Sequence, residues 1–272
     1  MIPADALAQV PQYSSAARVA ELAGGAVNRS FSVETPAGRF FLRLHQPAGI
    51  ALGADHGREA QLQNAAAVAG LASPLVYADP RHRFAISEFI EGRLWTPADF
   101  EDLAQLRKLG VLLKKVHEIV PPIAAPFDLP ALLRGFSESI AQAAPMERPL
   151  LAQLMERAEQ SLLVCASESR PKTLFHSDLH HSNLIETANG RLFLLDWEYA
   201  AVGDPLFDPA CVLAYYPQAT PHARGLLNAT GLANQATSAM LEHATWLYTL
   251  LSFFWDRARL LAAGIRSPTP AD

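Results

Sequence analysis

Period-two alternation dominates the first third of the chain. In residues 24–45, GGAVNRSFSVETPAGRFFLRLH, Phe31 and Val33 alternate with Ser30, Ser32 and Glu34, TPAG supplies a turn, and RFFLRL runs back. Alternation on both sides of a turn predicts a β-hairpin. SPLVYADP and RFAISEFI (83–90) predict two more strands. Between them and the hairpin lies DHGREAQLQNAAAVAG (55–70), an Ala-rich helix that Asp55 caps and Gly70 ends. Residues 14–23 are expected to form a short helix.

The period then lengthens. TPADFEDLAQLRKLGVLLKKVHEI (96–119) opens on the capping signal Thr96, Pro97, Asp99 and repeats through Leu103, Leu106, Leu109/Gly110 and Leu113, predicting a helix. Residues 129–143 and 147–166 are helical as well. TLF and LIET predict short strands, RLFLLDW (191–197) a third after the NG turn, and the chain from Pro205 onward is mostly helix. The expected fold is α+β: a β-rich unit over residues 1–91 and a larger, mainly helical unit over 92–272, divided near Glu91–Gly92.

Composition narrows the classes. Half of the 272 residues are hydrophobic, enough for a substantial core, and the net charge of −5 is scattered without a basic run. A nucleic-acid footprint is therefore missing. The start, MIPADALAQVPQ, has neither a basic region nor an apolar run of the kind that opens a signal peptide. ATWLYTLLSFFW (244–255) is too short to span a bilayer and reads as a buried helix, so no membrane partner is expected. Cys165 and Cys211 are too few for a disulfide framework and read as buried thiols in a reducing cytosol. Oligomeric state is not legible here.

The densest chemistry is FHSDLHHSN (175–183). His176, Asp178, His180 and His181 offer zinc-type ligands, but the stretch has neither two His at i, i+4 around a Glu nor an H-x-H opening. The phosphotransferase reading explains more. Kinase catalytic loops read H-R-D-L-x-x-x-N, in which the Asp orients the accepting hydroxyl and the Asn holds Mg²⁺. Here Asp178 and Asn183 stand at that spacing. Asp196 follows at the end of the apolar strand LFLLD, a natural site for a hard-oxygen metal ligand.

HSDLHHSN, LLDWEYAAVGDPLFDPA and VNRSFSV…FLRL together resemble the aminoglycoside phosphotransferase and choline kinase superfamily, over nearly the whole chain. LLDWEYA is similar to bacterial choline- and thiamine-kinase-like members. The resemblance implies a two-lobed, protein-kinase-like fold using ATP and Mg²⁺ to phosphorylate an alcohol of a small molecule. It implies Asp178 as catalytic base, Asn183 and Asp196 as metal ligands, His176 as a brace of the loop, and Asp208 as its support from a buried helix start. From the residues alone Asp208 is equally a helix N-cap.

On the nucleotide side, AGGAVNRS (23–30) is by itself an ordinary Gly-rich turn; the resemblance makes Gly25, Asn28 and Ser30 a cover for the phosphates. Arg43 stands where a Lys is expected, and an Arg binds phosphate bidentately. Glu59 is its expected carboxylate partner, and backbone around Glu88 and Ile90 is expected to meet adenine. A thin Gly loop and Arg43 keep open a non-catalytic nucleotide-binding alternative.

The acceptor is read from the last long helix. Glu242, Trp246, Thr249 and Phe253 share one face; Tyr248 and Trp255 lie roughly opposite. Core packing is the default, and the sharper expectation is an aromatic wall with a carboxylate (Glu242, or Glu198 after Asp196-Trp197) for a cationic group such as choline or thiamine. An aminoglycoside or sugar is the alternative acceptor.

Overall fold

The computed structural model describes residues 2–13, 18–22, 28–46, 55–262 and 264–265. Helix α1 (Pro3–Leu7) and a 3-10 turn (Pro11–Tyr13) precede β1 (Arg18–Leu22), β2 (Arg29–Thr35), β3 (Gly38–Leu44), helix α2 (His56–Val68), β4 (Leu75–Ala78) and β5 (Phe84–Glu88). The strands form an antiparallel sheet in the order β1-β2-β3-β5-β4. Its register explains the sequence pattern. Phe31 faces Leu42, which faces Ile86, and Leu44 faces Phe84. These side chains, all buried, form a small core with Leu7, Val10 and Tyr13. Period two sends the alternate rows, Ser30–Arg43–Ala85 and Ser32–Phe41–Ser87, to the other face. That polar face roofs the site described below.

Residues 18–22 are strand, not the helix expected over 14–23, of which 14–17 lie outside the described residues. Pairing with β2 over Arg18↔Glu34 to Leu22↔Ser30, with Arg29 bonded to Glu21 at 2.9 Å, overrides the helical propensity of Ala, Glu and Leu. The helix expected over 96–119 is two elements. Pro97–Glu101 is 3-10, closed by Asp99 Oδ2 accepting from Thr96 N at 2.7 Å. Asp102 then turns extended and caps a new helix, α3 (Leu103–His117), accepting from Ala104 N at 2.7 Å. Two cap signals in tandem make two starts.

The larger core is built by α3, α4 (Leu129–Ala143), α5 (Arg148–Cys165), α6 (Phe207–Tyr215), α7 (Ala223–Thr230) and α8 (Ser238–Ala262). Leu62 and Ala66 of α2 join it, so α2 packs on the larger core although it lies between strands of the sheet in sequence. Short strands sit between the helices: β7 (Thr173–Phe175) pairs with β10 (Ala201–Gly203), and β8 (Leu184–Glu186) lies between β6 (Arg93–Leu94) and β9 (Leu192–Leu194). β6 and β10 escaped the sequence reading because two or three residues show no period. Among the described residues no helix is long and apolar enough to cross a membrane. Cys165 and Cys211 are buried free thiols.

One close helix approach is testable. A Cβ on Gly110 of α3 would meet Ala229 Cβ of α7 at 2.5 Å and Leu226 O at 3.1 Å. Gly110→Ala gains about 1 kcal/mol of helix propensity but forces apart rigid backbone. A net loss of about 1–3 kcal/mol is expected, read as a lower urea midpoint at unchanged slope.

Candidate active site

The site lies between the polar face of the sheet and the loops that flank β8 and β9, around a cavity of ≈ 610 Å³. Asp178, Asn183, Asp196, Arg43, Glu59 and Glu198 all line it. They converge although up to 155 residues apart in sequence, from Arg43 to Glu198.

The loop after β7 is held from below. Asp208, fully buried in the first turn of α6, accepts at Oδ1 from the His176 and Ser177 backbone amides, both at 3.0 Å, while Oδ2 lies 2.9 Å from His117 Nε2. Its side chain therefore serves the loop and does not cap its own helix. His176 is buried. Its Nε2 donates to the Leu195 carbonyl at 3.0 Å, and its Nδ1 accepts from Asp178 N at 3.3 Å. One neutral imidazole thus links the Asp178 loop to the Asp196 loop; burial lowers its pKa, against the charge of Asp208. Ser177 (φ 66°) and Asp196 (φ 62°) both adopt the left-handed region. Such conformations persist where surrounding bonds over-determine them, and each residue here adjoins or is a chemical group of the site.

Both oxygens of Asp178 are used. Asn183 Nδ2 donates to Oδ2 at 2.8 Å, and the Tyr215 hydroxyl donates to Oδ1 at 3.1 Å. Asp178 is nonetheless pushed up to about 7, by burial first and then by the charge of Asp196. Arg43 Nη1 donates to Asp196 Oδ1 at 2.7 Å and to Glu59 Oε1 at 3.0 Å. Burial raises and the guanidinium lowers the Asp196 pKa; the guanidinium prevails. Glu198 is pushed up to about 7 by burial and by Asp196. One guanidinium thus faces four carboxylates, and two of them sit near neutrality. This deficit of positive charge, with oxygen donors on Asp196 and Asn183, suits a hard divalent cation such as Mg²⁺.

Other expected contacts are differently employed. Asn28 Nδ2 donates to Glu198 Oε2 at 3.0 Å and its Oδ1 accepts from Gln46 N at 3.2 Å, so its amide ties sheet to loop and does not face open space. Gly25 lies outside the described residues. Ser30 lines the cavity beside Arg43. The Glu88 amide donates to Pro74 O at 3.0 Å and its carbonyl accepts from Ser73 Oγ at 2.5 Å. The backbone of Ile90 is not engaged by another described residue.

Glu59 is clamped on its second oxygen by His56 Nδ1 at 3.0 Å. The His56 ring stacks on His45 at 3.6 Å between centroids and 15° between planes, and His45 Nδ1 donates to His82 O at 2.9 Å. His45, His56 and Glu59 form the one metal-like cluster among the described residues. The near-parallel rings keep the two Nε2 lone pairs from converging on one ion, so the stack serves to orient Glu59. The His176, Asp178, His180 and His181 side chains do not gather as ligands: His181 Nδ1 bonds Tyr216 Oη at 2.9 Å and His180 Nδ1 pairs with Ser182 Oγ at 2.8 Å.

The α8 expectation divides by face. Trp255 lines the cavity, and Tyr248 donates to the Ser177 carbonyl. Glu242 and Trp246 do not reach the cavity. Glu242 is exposed, and Trp246 packs under Arg157 of α5 at 4.2 Å, because α5 covers that side of the helix. Sequence reasoning missed two residues of the site, Tyr199 and Tyr215, which line the cavity. A signal existed for Tyr215. Asp208, Cys211 and Tyr215 fall at i, i+3, i+7 on α6, one stripe, and all three touch the 176–179 loop.

Comparison with known proteins identifies the family and the fold. Residues 18–243 match the phosphotransferase enzyme family, and the chain belongs to it. Its fold is that of a choline kinase from Streptococcus pneumoniae (TM-score 0.82, 16% identity, covering 97% of this chain and 92% of that one). A choline/ethanolamine kinase family protein from Mesorhizobium loti superposes with TM-score 0.72 at 18% identity, over 97% and 94% of the two chains. An ADP-bound aminoglycoside phosphotransferase does so with TM-score 0.68 at 19% identity, over 98% and 93%.

Proposed function

We propose that the protein transfers the γ-phosphoryl group of ATP to the hydroxyl of a small cationic alcohol, of the choline or thiamine kind. Asp178 accepts or orients the proton of the attacking hydroxyl, fixed for that task by Asn183. Asp196 and Asn183 hold Mg²⁺, which supplies charge neutralisation at the phosphates. Arg43, gripped by Glu59, adds fixed positive charge on the sheet side. Phosphoryl transfer asks for positioning and electrostatics more than covalent help, and these residues supply both. Adenine is assigned to the free backbone of Ile90, while Asn28 and Glu88 act structurally. The ADP found with the related aminoglycoside phosphotransferase supports an adenine nucleotide.

The observation that carries the choice of acceptor is the wall beside Asp178. Glu198, 6% exposed, adjoins Tyr199, and Tyr199 meets Trp255 edge to face at 6.5 Å between centroids. The Tyr199 hydroxyl and the Trp255 indole N–H lie beside each other and beside Glu198, buried and outside good hydrogen-bond geometry. A carboxylate behind two aromatic rings stabilises a desolvated ammonium group by cation–π and Coulomb attraction. Arg259 lies over Trp255 at 5.4 Å, which leaves a ligand the remaining ring surface and favours a compact cation. This reading assigns the wall to Glu198, Tyr199 and Trp255, in place of Glu242 and Trp246.

A panel of choline, ethanolamine, thiamine, aminosugars and aminoglycosides with Mg·ATP tests the reading. Phosphorylation of a small quaternary or aromatic cation is expected; sole turnover of aminoglycosides or sugars supports the second acceptor class. Binding of Mg·ATP without turnover of any member contradicts catalysis and supports a nucleotide-binding role. With the active acceptor, Trp255→Ala is expected to raise its KM by roughly 2- to 30-fold, the scale of about 0.5–2 kcal/mol of cation–π attraction, at unchanged KM for ATP.

A further inference from the structure

Asp178 already holds a hydroxyl. The Tyr215 phenol donates to Asp178 Oδ1 at 3.1 Å, within the reach of about 2.6–3.2 Å that a base needs to the group it deprotonates. Among the described residues no other side-chain hydroxyl bonds this carboxylate. The neighbouring hydroxyls are committed elsewhere. Tyr248 donates to Ser177 O, Tyr216 Oη accepts from His181 N at 2.6 Å, and Ser182 Oγ pairs with His180. Tyr215 is 37% exposed and lines the same cavity as Asp196 and Asn183. Its ring is held edge-on by Tyr248 at 5.7 Å and by His180 at 5.6 Å, and its backbone closes α6. The phenol oxygen is thus held against the carboxylate to which the proposed function brings an accepting hydroxyl.

We propose that Tyr215 is itself a phosphoryl acceptor: with Mg·ATP bound and the acceptor seat empty, the enzyme phosphorylates its own Tyr215 phenol. This inference rests on the phosphotransferase reading above. The phenol oxygen forms a bond to the γ-phosphorus, and the bond from that phosphorus to the β–γ bridging oxygen breaks. ADP leaves with the electron pair, and the phenolic proton passes to Asp178 and on to water. Burial and Asp178 hold the phenol pKa high, but the loose transition state of phosphoryl transfer asks little of the nucleophile, and fixed geometry replaces a bimolecular encounter. The product ester carries about −1.5 to −2 charges against Asp178 and Asp196 and fills the acceptor seat. Modified enzyme is therefore inactive toward small acceptors, and a bound acceptor protects Tyr215.

The test is incubation of the full chain with Mg·ATP and no acceptor, followed by intact mass and peptide mapping, with Mg·ATP binding measured in parallel by titration calorimetry. The expected result is one phosphoryl group on Tyr215, gained at a first-order rate independent of protein concentration, with a matching loss of acceptor turnover. Tyr215→Phe should show no incorporation at an unchanged melting temperature, and Asp178→Asn should slow it by about 10²-fold or more. If Mg·ATP binds and a small alcohol is phosphorylated while Tyr215 stays unmodified, this proposal alone is overturned. If Mg·ATP fails to bind, the phosphotransferase reading falls with it.

Discussion

Asp178→Asn lowers turnover by about 10²- to 10⁴-fold, the contribution of a positioned general base, and leaves Mg·ATP affinity nearly unchanged. The asparagine keeps its oxygen as acceptor for Asn183 Nδ2 and turns its NH2 to the Tyr215 hydroxyl, which can accept, so the loop retains its shape while the proton acceptor is lost. The pH dependence follows from the same environment. Burial and Asp196 raise Asp178 from 3.8 to about 7, and the active form is ionised, so kcat/KM at limiting nucleotide falls as pH drops below about 7 in the wild type. Stability moves the other way. Between those two values the folded state binds more protons than the unfolded one, so stability present at low pH is lost as pH rises through about 7. Removing the carboxylate should raise the melting temperature at pH 8 while lowering turnover as above, a trade between function and stability. Calorimetric melting at pH 5 and 8 checks the sign.

Asp196→Asn has a different signature. Asp196 is the carboxylate bonded to Arg43 at 2.7 Å and the main charge acting on both Asp178 and Glu198. On the proposed assignment its loss removes the strongest anionic ligand for Mg²⁺, and it leaves the buried Arg43 with Glu59 as its partner. Mg·ATP binding itself is expected to disappear from titration calorimetry, and turnover to fall by about 10³-fold, the size of a lost electrostatic stabiliser. With their main negative neighbour gone, Asp178 and Glu198 should both titrate at lower pH. If Asp196→Asn binds Mg·ATP as tightly as the wild type, the metal assignment is wrong.

Much of this architecture was legible in the chain before any coordinates. Long periodic segments announced the hairpin, α2 with its Asp55 cap and Gly70 stop, and the helices of the larger core, because burial of one face leaves a repeat. What escaped had no period or had a competing one. Residues 18–22 carry helix formers, yet a neighbouring strand edge recruited them. On the site, the motif spacing brought Asp178, Asn183 and Asp196 to attention, but spacing says nothing about which face of α8 meets the cavity. Glu242 and Trp246 were as plausible on a helical wheel as Tyr248 and Trp255; only the packing of α5 decides between them. Asn28 illustrates another limit, since an amide beside the Gly-rich turn is free in sequence but bonded to Glu198 in the fold. Tyr215 was readable in principle, two turns from Asp208, given that Asp208 faces the 176–179 loop.

The most direct test is ³¹P NMR of the protein with Mg·ATP and a cationic primary alcohol such as choline or thiamine. The account predicts that the ATP resonances give way to ADP and a new phosphomonoester, and that Asp178→Asn suppresses both. Unchanged ATP across the whole panel, or conversion to ADP and inorganic phosphate alone, would contradict it.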